Sequence, residues 1–61
     1  MELETNSRKL LKILKAEGFE VVSTKGSHWK LRKGERTVIL PHPKKDLPLG
    51  TVRKIYEQAG L

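Results

Sequence analysis

The densest run of chemically capable side chains is Lys25-Gly26-Ser27-His28-Trp29-Lys30-Leu31-Arg32, with one histidine, His28, among three cations. An imidazole exchanges its proton in the neutral range, which suits it to take the proton of a ribose 2′-hydroxyl. Flanking ammonium and guanidinium groups can stabilise charge developing on a phosphate. Gly26-Ser27 adds backbone N–H groups able to form a small anion-binding nest beside the ring. The pattern points to RNA phosphodiester cleavage with His28 as general base and Lys25, Gly26, Ser27, Lys30 and Arg32 as phosphate contacts. The plain reading of the same residues is a surface histidine on an ordinary turn, and the residues alone leave both readings open.

The second histidine, His42, lies between Pro41 and Pro43. It reads first as a rigid loop element, with a second phosphate contact and an auxiliary acid as its other readings. Lys44-Lys45 are either solvated loop charges or, coming just before a helix start, phosphate ligands. His42 and Asp46 lack a third ligand and the chain has no Cys, so neither a metal site nor a cofactor is expected. Trp29 could offer a base-stacking platform, but its register with Leu31 favours a core position. Arg8, Lys9, Arg53 and Lys54 fall early in helical segments, where positive charge opposes the helix dipole. An anionic ligand would offset that, although chance placement of exposed charges suffices to explain it.

These residues need elements to position them. From Asn6 or Ser7, either a suitable N-cap, a helix runs to Glu17 with Leu10, Leu11 and Leu14 on one stripe and Gly18 at its end. Phe19 to Thr24 is β-branched-rich, Lys25-Gly26-Ser27 reads as a turn, and His28 to Arg32 alternates polar with apolar. Lys33-Gly34-Glu35 supplies a second turn and Thr37 to Leu40 a third strand, ended by Pro41. Pro48 suits the first turn of a second helix, where Val52, Ile55, Tyr56 and Ala59 recur at helical spacing before Gly60. The expected fold is α+β, ordered α-β-β-β-α: a three-stranded antiparallel sheet with two helices on one face, the topology of double-stranded-RNA-binding domains. Its core would hold Leu10, Leu14, Val21, Trp29, Leu31, Val38, Leu40, Val52 and Ile55. If Trp29 and Leu31 face the helices, strand alternation sends His28, Lys30 and Arg32 to the helix-free side.

Composition narrows the function classes. The 61 residues are read as a single domain over 1–61, with 1–5 frayed. A chain this short buries only about 60% of its unfolded surface, so the core is thin and has no disulfide to support it. Thirteen Lys and Arg against seven Asp and Glu give a net charge of +6, the footprint of a phosphate-backbone binder or of a protein with an acidic partner. The apolar runs are far shorter than the roughly 20 residues of a membrane span, and no signal peptide is evident, so a soluble cytoplasmic protein is expected.

Larger pieces of sequence carry a resemblance. Thr24-Lys25-Gly26-Ser27-His28 is followed by Val38-Ile39-Leu40-Pro41-His42-Pro43-Lys44-Lys45-Asp46-Leu47-Pro48, then by Gly50-Thr51-Val52, Ile55 and Gln58-Ala59-Gly60-Leu61. Together, from Ser7 onward, these segments resemble the HicA toxin family. The resemblance implies a double-stranded-RNA-binding-like fold, endoribonuclease action on mRNA, and neutralisation by a HicB antitoxin in a hetero-oligomer. It also implies that His28 is the residue needed for toxicity. Many relatives resemble Gly-Ser-His-His, whereas Trp29 follows His28 here, so support from a second imidazole is missing. The expected chemistry is metal-independent transesterification, with Lys25, Ser27 and Lys30 holding the scissile phosphate. A non-catalytic RNA-binding module and a protein-interaction module are the alternatives.

Overall fold

A computed structural model describes residues 3–61. The elements are α1 (Ser7–Ala16), β1 (Glu20–Lys25), β2 (His28–Lys33), β3 (Arg36–Pro41) and α2 (Leu49–Ala59). The three strands form one antiparallel sheet in the order β1-β2-β3. The α-β-β-β-α order and the α+β architecture agree with the sequence reading.

Both hairpins turn on two residues, Gly26-Ser27 and Gly34-Glu35, one residue tighter than the sequence suggested. Each has a glycine with positive φ at its first turn position and none at its second, the requirement of a type II′ turn. The tight turns make Lys25 the cross-strand partner of His28 and Lys33 that of Arg36. A bulge at Val22 interrupts the first ladder between Val21 and Ser23.

Helix ends explain several boundaries. Gly18, at φ 101, follows the last turn of α1, and its N–H donates to the Lys15 carbonyl while the Phe19 N–H donates to that of Leu14. This paired closure needs a left-handed residue, and only glycine reaches that conformation without penalty. It also turns Phe19 into the core, so Phe19 precedes β1 rather than opening it. Gly60 ends α2 by the same pattern, with N–H bonds from Gly60 to Glu57 and from Leu61 to Tyr56. Pro48 is the N-cap of α2 rather than a residue of its first turn.

The core joins both helices to one face of the sheet: Leu10 and Leu14 of α1, Val52, Ile55 and Ala59 of α2, and Leu31, Val38 and Leu40 of the strands, with Phe19 and Leu47 closing its ends. Phe19, Leu47 and Ala59 were missing from the expected core. Val21 and Trp29 are half-buried and pack against the core instead of lying within it. Residues 3–5, expected to fray, precede α1 without regular structure but make contacts with the folded part; Met1 and Glu2 lie outside the described residues. Leu3 packs on the core, the Glu4 N–H donates to the Tyr56 hydroxyl at 3.2 Å, and the Thr5 carbonyl accepts the Leu47 N–H at 2.8 Å.

Two glycine substitutions should move stability in opposite directions. Gly18→Ala forces a side chain into the left-handed region and should cost about 1–2 kcal/mol. Gly50 lies within α2 with open space around it; Gly50→Ala should stabilise by up to about 1 kcal/mol. Urea unfolding followed by circular dichroism reads both.

Candidate nucleic-acid interface

Strand alternation sorts the candidate residues. Trp29 and Leu31 turn toward the helices, and His28, Lys30 and Arg32 stand exposed on the other side. Cross-strand pairing brings Lys25 and Pro41 beside His28, Ser23 and Ile39 beside Lys30, and Glu20 and Thr37 beside Arg32. Gly26 and Ser27 form the exposed hairpin tip next to His28. Lys25, Gly26, Ser27, His28, Lys30 and Arg32 are therefore one contiguous patch.

That face is less uniformly cationic than the sequence suggests. Ile39 is 42% exposed between Lys30 and the β3 edge, and Val22, at the bulge, is 52% exposed. Glu20 opposite Arg32 offsets part of its charge. The cationic end of the face is the hairpin end, where Lys25 and Lys30 flank His28.

His42, Lys44 and Lys45 lie elsewhere. Pro41 pairs with His28, so His42, the next residue, falls on the helix side. Its ring meets Trp29 edge-on, with centroids 4.6 Å apart and planes at 72°. Its Nδ1 is 2.8 Å from the Ser7 hydroxyl oxygen. It is a loop residue held in place on both sides, by Ser7 and by Trp29. A backbone bond from the His42 N–H to the Ser27 carbonyl, 2.8 Å, ties this region to the tip of the first hairpin.

Ser7 organises the junction. Asn6, not Ser7, caps α1, its side chain accepting the Arg8 and Lys9 N–H groups. Ser7 occupies the first helical position with only 1% of its surface exposed. Its N–H donates to the Lys44 carbonyl at 2.9 Å, and its hydroxyl oxygen accepts the Lys44 N–H at 2.7 Å. The hydroxyl proton has one acceptor within reach, His42 Nδ1. The reverse arrangement, with Nδ1 donating, would leave a buried hydroxyl proton unsatisfied, at about 1–3 kcal/mol. Hydrogen-bond satisfaction thus assigns the His42 proton to Nε2. The Asn6 N–H donates to the Glu4 carboxylate at 3.1 Å, so all four N–H groups at the start of α1 are already paired.

Beside this junction is an open cleft of about 350 Å³, lined by Asn6, Ser7, Arg8, His42, Pro43, Lys44 and Lys45. Nothing in the sequence marked Ser7 or Arg8 as partners of the Pro41–Lys45 segment, because the contact joins residues 35 or more positions apart. Among the described residues no group of three His, Cys, Asp or Glu gathers as a metal site, and no helix is long and apolar enough to cross a membrane.

Removing the Ser7 hydroxyl tests this account of the junction. Ser7→Ala removes the acceptor of the part-buried Lys44 N–H and the anchor of His42, and should cost about 1–3 kcal/mol in urea unfolding. Exposed Ser27, substituted the same way, should stay within about 0.5 kcal/mol.

A family model described as HicA toxin of bacterial toxin-antitoxin matches residues 7–61. No curated protein gives a significant match to the chain.

Proposed function

The chain belongs to the HicA toxin family and is the toxin of a toxin–antitoxin system, and from that premise we propose that it is an endoribonuclease that cleaves mRNA with His28 as general base. The observation that carries this reading is the position of His28, exposed on the helix-free face of the hairpin with Lys25 opposite it across the strands and Lys30 on the same face. RNA can approach that face without meeting either helix.

The reaction is a transesterification. Neutral His28 takes the proton of the ribose 2′-hydroxyl, and the 2′-oxygen attacks the adjacent phosphorus. The bond to the 5′-oxygen breaks, that oxygen takes a proton from solvent water, and the protonated His28 returns its proton to solvent. The products are a 2′,3′-cyclic phosphate and a 5′-hydroxyl. On this reading Lys25, Lys30 and the Ser27 hydroxyl hold the phosphate oxygens as negative charge grows, a role supported by the pairing of Lys25 with His28. Gly26 lets the backbone approach closely at the hairpin tip, and Arg32, further along the face, suits a phosphate beyond the scissile one. A positioned base of this kind is worth about 10²–10⁴ in rate. The reaction needs no metal or cofactor, and an mRNA substrate makes the cytoplasm its compartment.

The antitoxin partner is a HicB-type protein, forming a hetero-oligomer with the toxin. The exposed Ile39 and Val22 beside the cations offer it a mixed apolar and basic surface, and a partner seated there occludes His28.

His28→Ala should abolish growth arrest on induction in a bacterial host and lower RNA cleavage by at least about 10². Wild-type products should end in 2′,3′-cyclic phosphate in the presence of EDTA. Undiminished cleavage by His28→Ala, or 5′-phosphate ends that require a divalent metal, would refute the scheme. In the toxin–antitoxin complex, diethylpyrocarbonate should modify His28 more slowly than in the free toxin; equal rates would exclude simple occlusion.

A further inference from the structure

We propose that the cleft at the start of α1 binds a phosphodiester of the RNA separate from the one being cut, through Arg8, Lys44, Lys45 and the Nε2–H of His42. The ligand rests on the RNA-cleaving reading above; the site rests on its own geometry.

Three cationic residues line the cleft and no carboxylate does. The nearby Glu4 carboxylate is engaged by the Asn6 N–H. The backbone donors that open α1 are all paired within the protein, so the helix end by itself is not the binding element. The side chains are. At about 350 Å³ the cleft has room for a phosphate with part of its sugar.

His42 supplies a directed donor. Its Nδ1 is held by the buried Ser7 hydroxyl, which leaves the proton on Nε2. Among the described residues no protein group pairs with Nε2, and no buried side-chain nitrogen or oxygen lacks a partner, so Nε2 is open to solvent. Ser7 thus acts as a positioning residue: it fixes the tautomer and the ring, and the ring presents a neutral N–H among permanent cations. A phosphate oxygen accepts from all of them.

The cleft is also within reach of the cutting site. His28 pairs with Pro41, and His42 follows. With cross-strand Cα separations of about 5 Å and chain steps of about 3.8 Å, the two histidine backbones lie within about 9 Å of each other. One RNA strand can cross the sheet end, with its scissile phosphate at His28 and another phosphate in the cleft.

Binding is measured in the His28→Ala background, so that the RNA stays intact, by anisotropy of a labelled single-stranded RNA across a salt series. Adding Arg8→Ala, Lys44→Ala and Lys45→Ala should weaken binding by about 10-fold or more and flatten the log K against log salt slope by about 0.7 for each phosphate no longer neutralised. Lys44→Arg with Lys45→Arg should retain binding. Imidazole ¹⁵N spectra of the His28→Ala protein should show His42 protonated at Nε2 and that resonance moving when RNA is added. Unchanged affinity and slope in the triple variant, or an Nε2 resonance that RNA leaves in place, overturns the proposal. A resonance that moves with inorganic phosphate but not with RNA also overturns it, by making the cleft a free-phosphate site. If wild-type protein fails to cut RNA while the cleft variants still lose RNA affinity, the cleavage reading falls and the phosphate subsite stands.

Discussion

Leu31, Val38 and Leu40 are completely buried under two helices, and among the described residues no element covers the other side of the sheet. This single-sided burial governs the rest of the molecule. Because side chains alternate along a strand, Leu31 turned inward sends Lys30 and Arg32 into solvent, and Trp29 packed against the core does the same for His28. The same residues that hold the fold together therefore decide where an imidazole and its cations are displayed. The exposed Ile39 and Val22 on this side show that the face is not merely solvating. Apolar surface next to cations suits a protein partner as well as a nucleic acid.

The Ser7 junction solves a second problem of a small fold. The connection from His42 to Leu47 has no regular structure, and its backbone groups need partners if it is to hold a shape. Ser7 contributes an N–H and a hydroxyl to Lys44 and an anchor to His42, while Leu47 bonds back to Thr5. One buried serine thus locks the loop onto α1, brings Lys44 and Lys45 beside Arg8, and fixes the His42 ring. A bond from His42 to the Ser27 carbonyl then couples that loop to the hairpin carrying His28.

Trp29 shows what position 29 means in this fold. In register with Leu31 it faces the helices, and its ring packs edge-on to His42. Any side chain at this position points to the helix side, beside His42 and not beside His28. The residue at position 29 therefore bears on the support of the α1 cleft more directly than on the surroundings of His28.

Local pattern carried much of the fold. Helical spacing of Leu10 and Leu14 and of Val52, Ile55 and Ala59, alternation through His28–Arg32, and glycines at both turns and both helix ends determined the element order and the face on which His28 stands, because these signals act over a few residues. The resemblance pointed to the family, which the match over residues 7–61 establishes. Tertiary structure alone decided the rest. Phe19 enters the core only because the closure at Gly18 turns it inward. Asn6 took the cap, which freed Ser7 for burial, although either residue suited the cap by type. The loop residue His42 found its place between Ser7 and Trp29. Those contacts join residues far apart in the chain, and no local periodicity encodes which distant hydroxyl a histidine will meet.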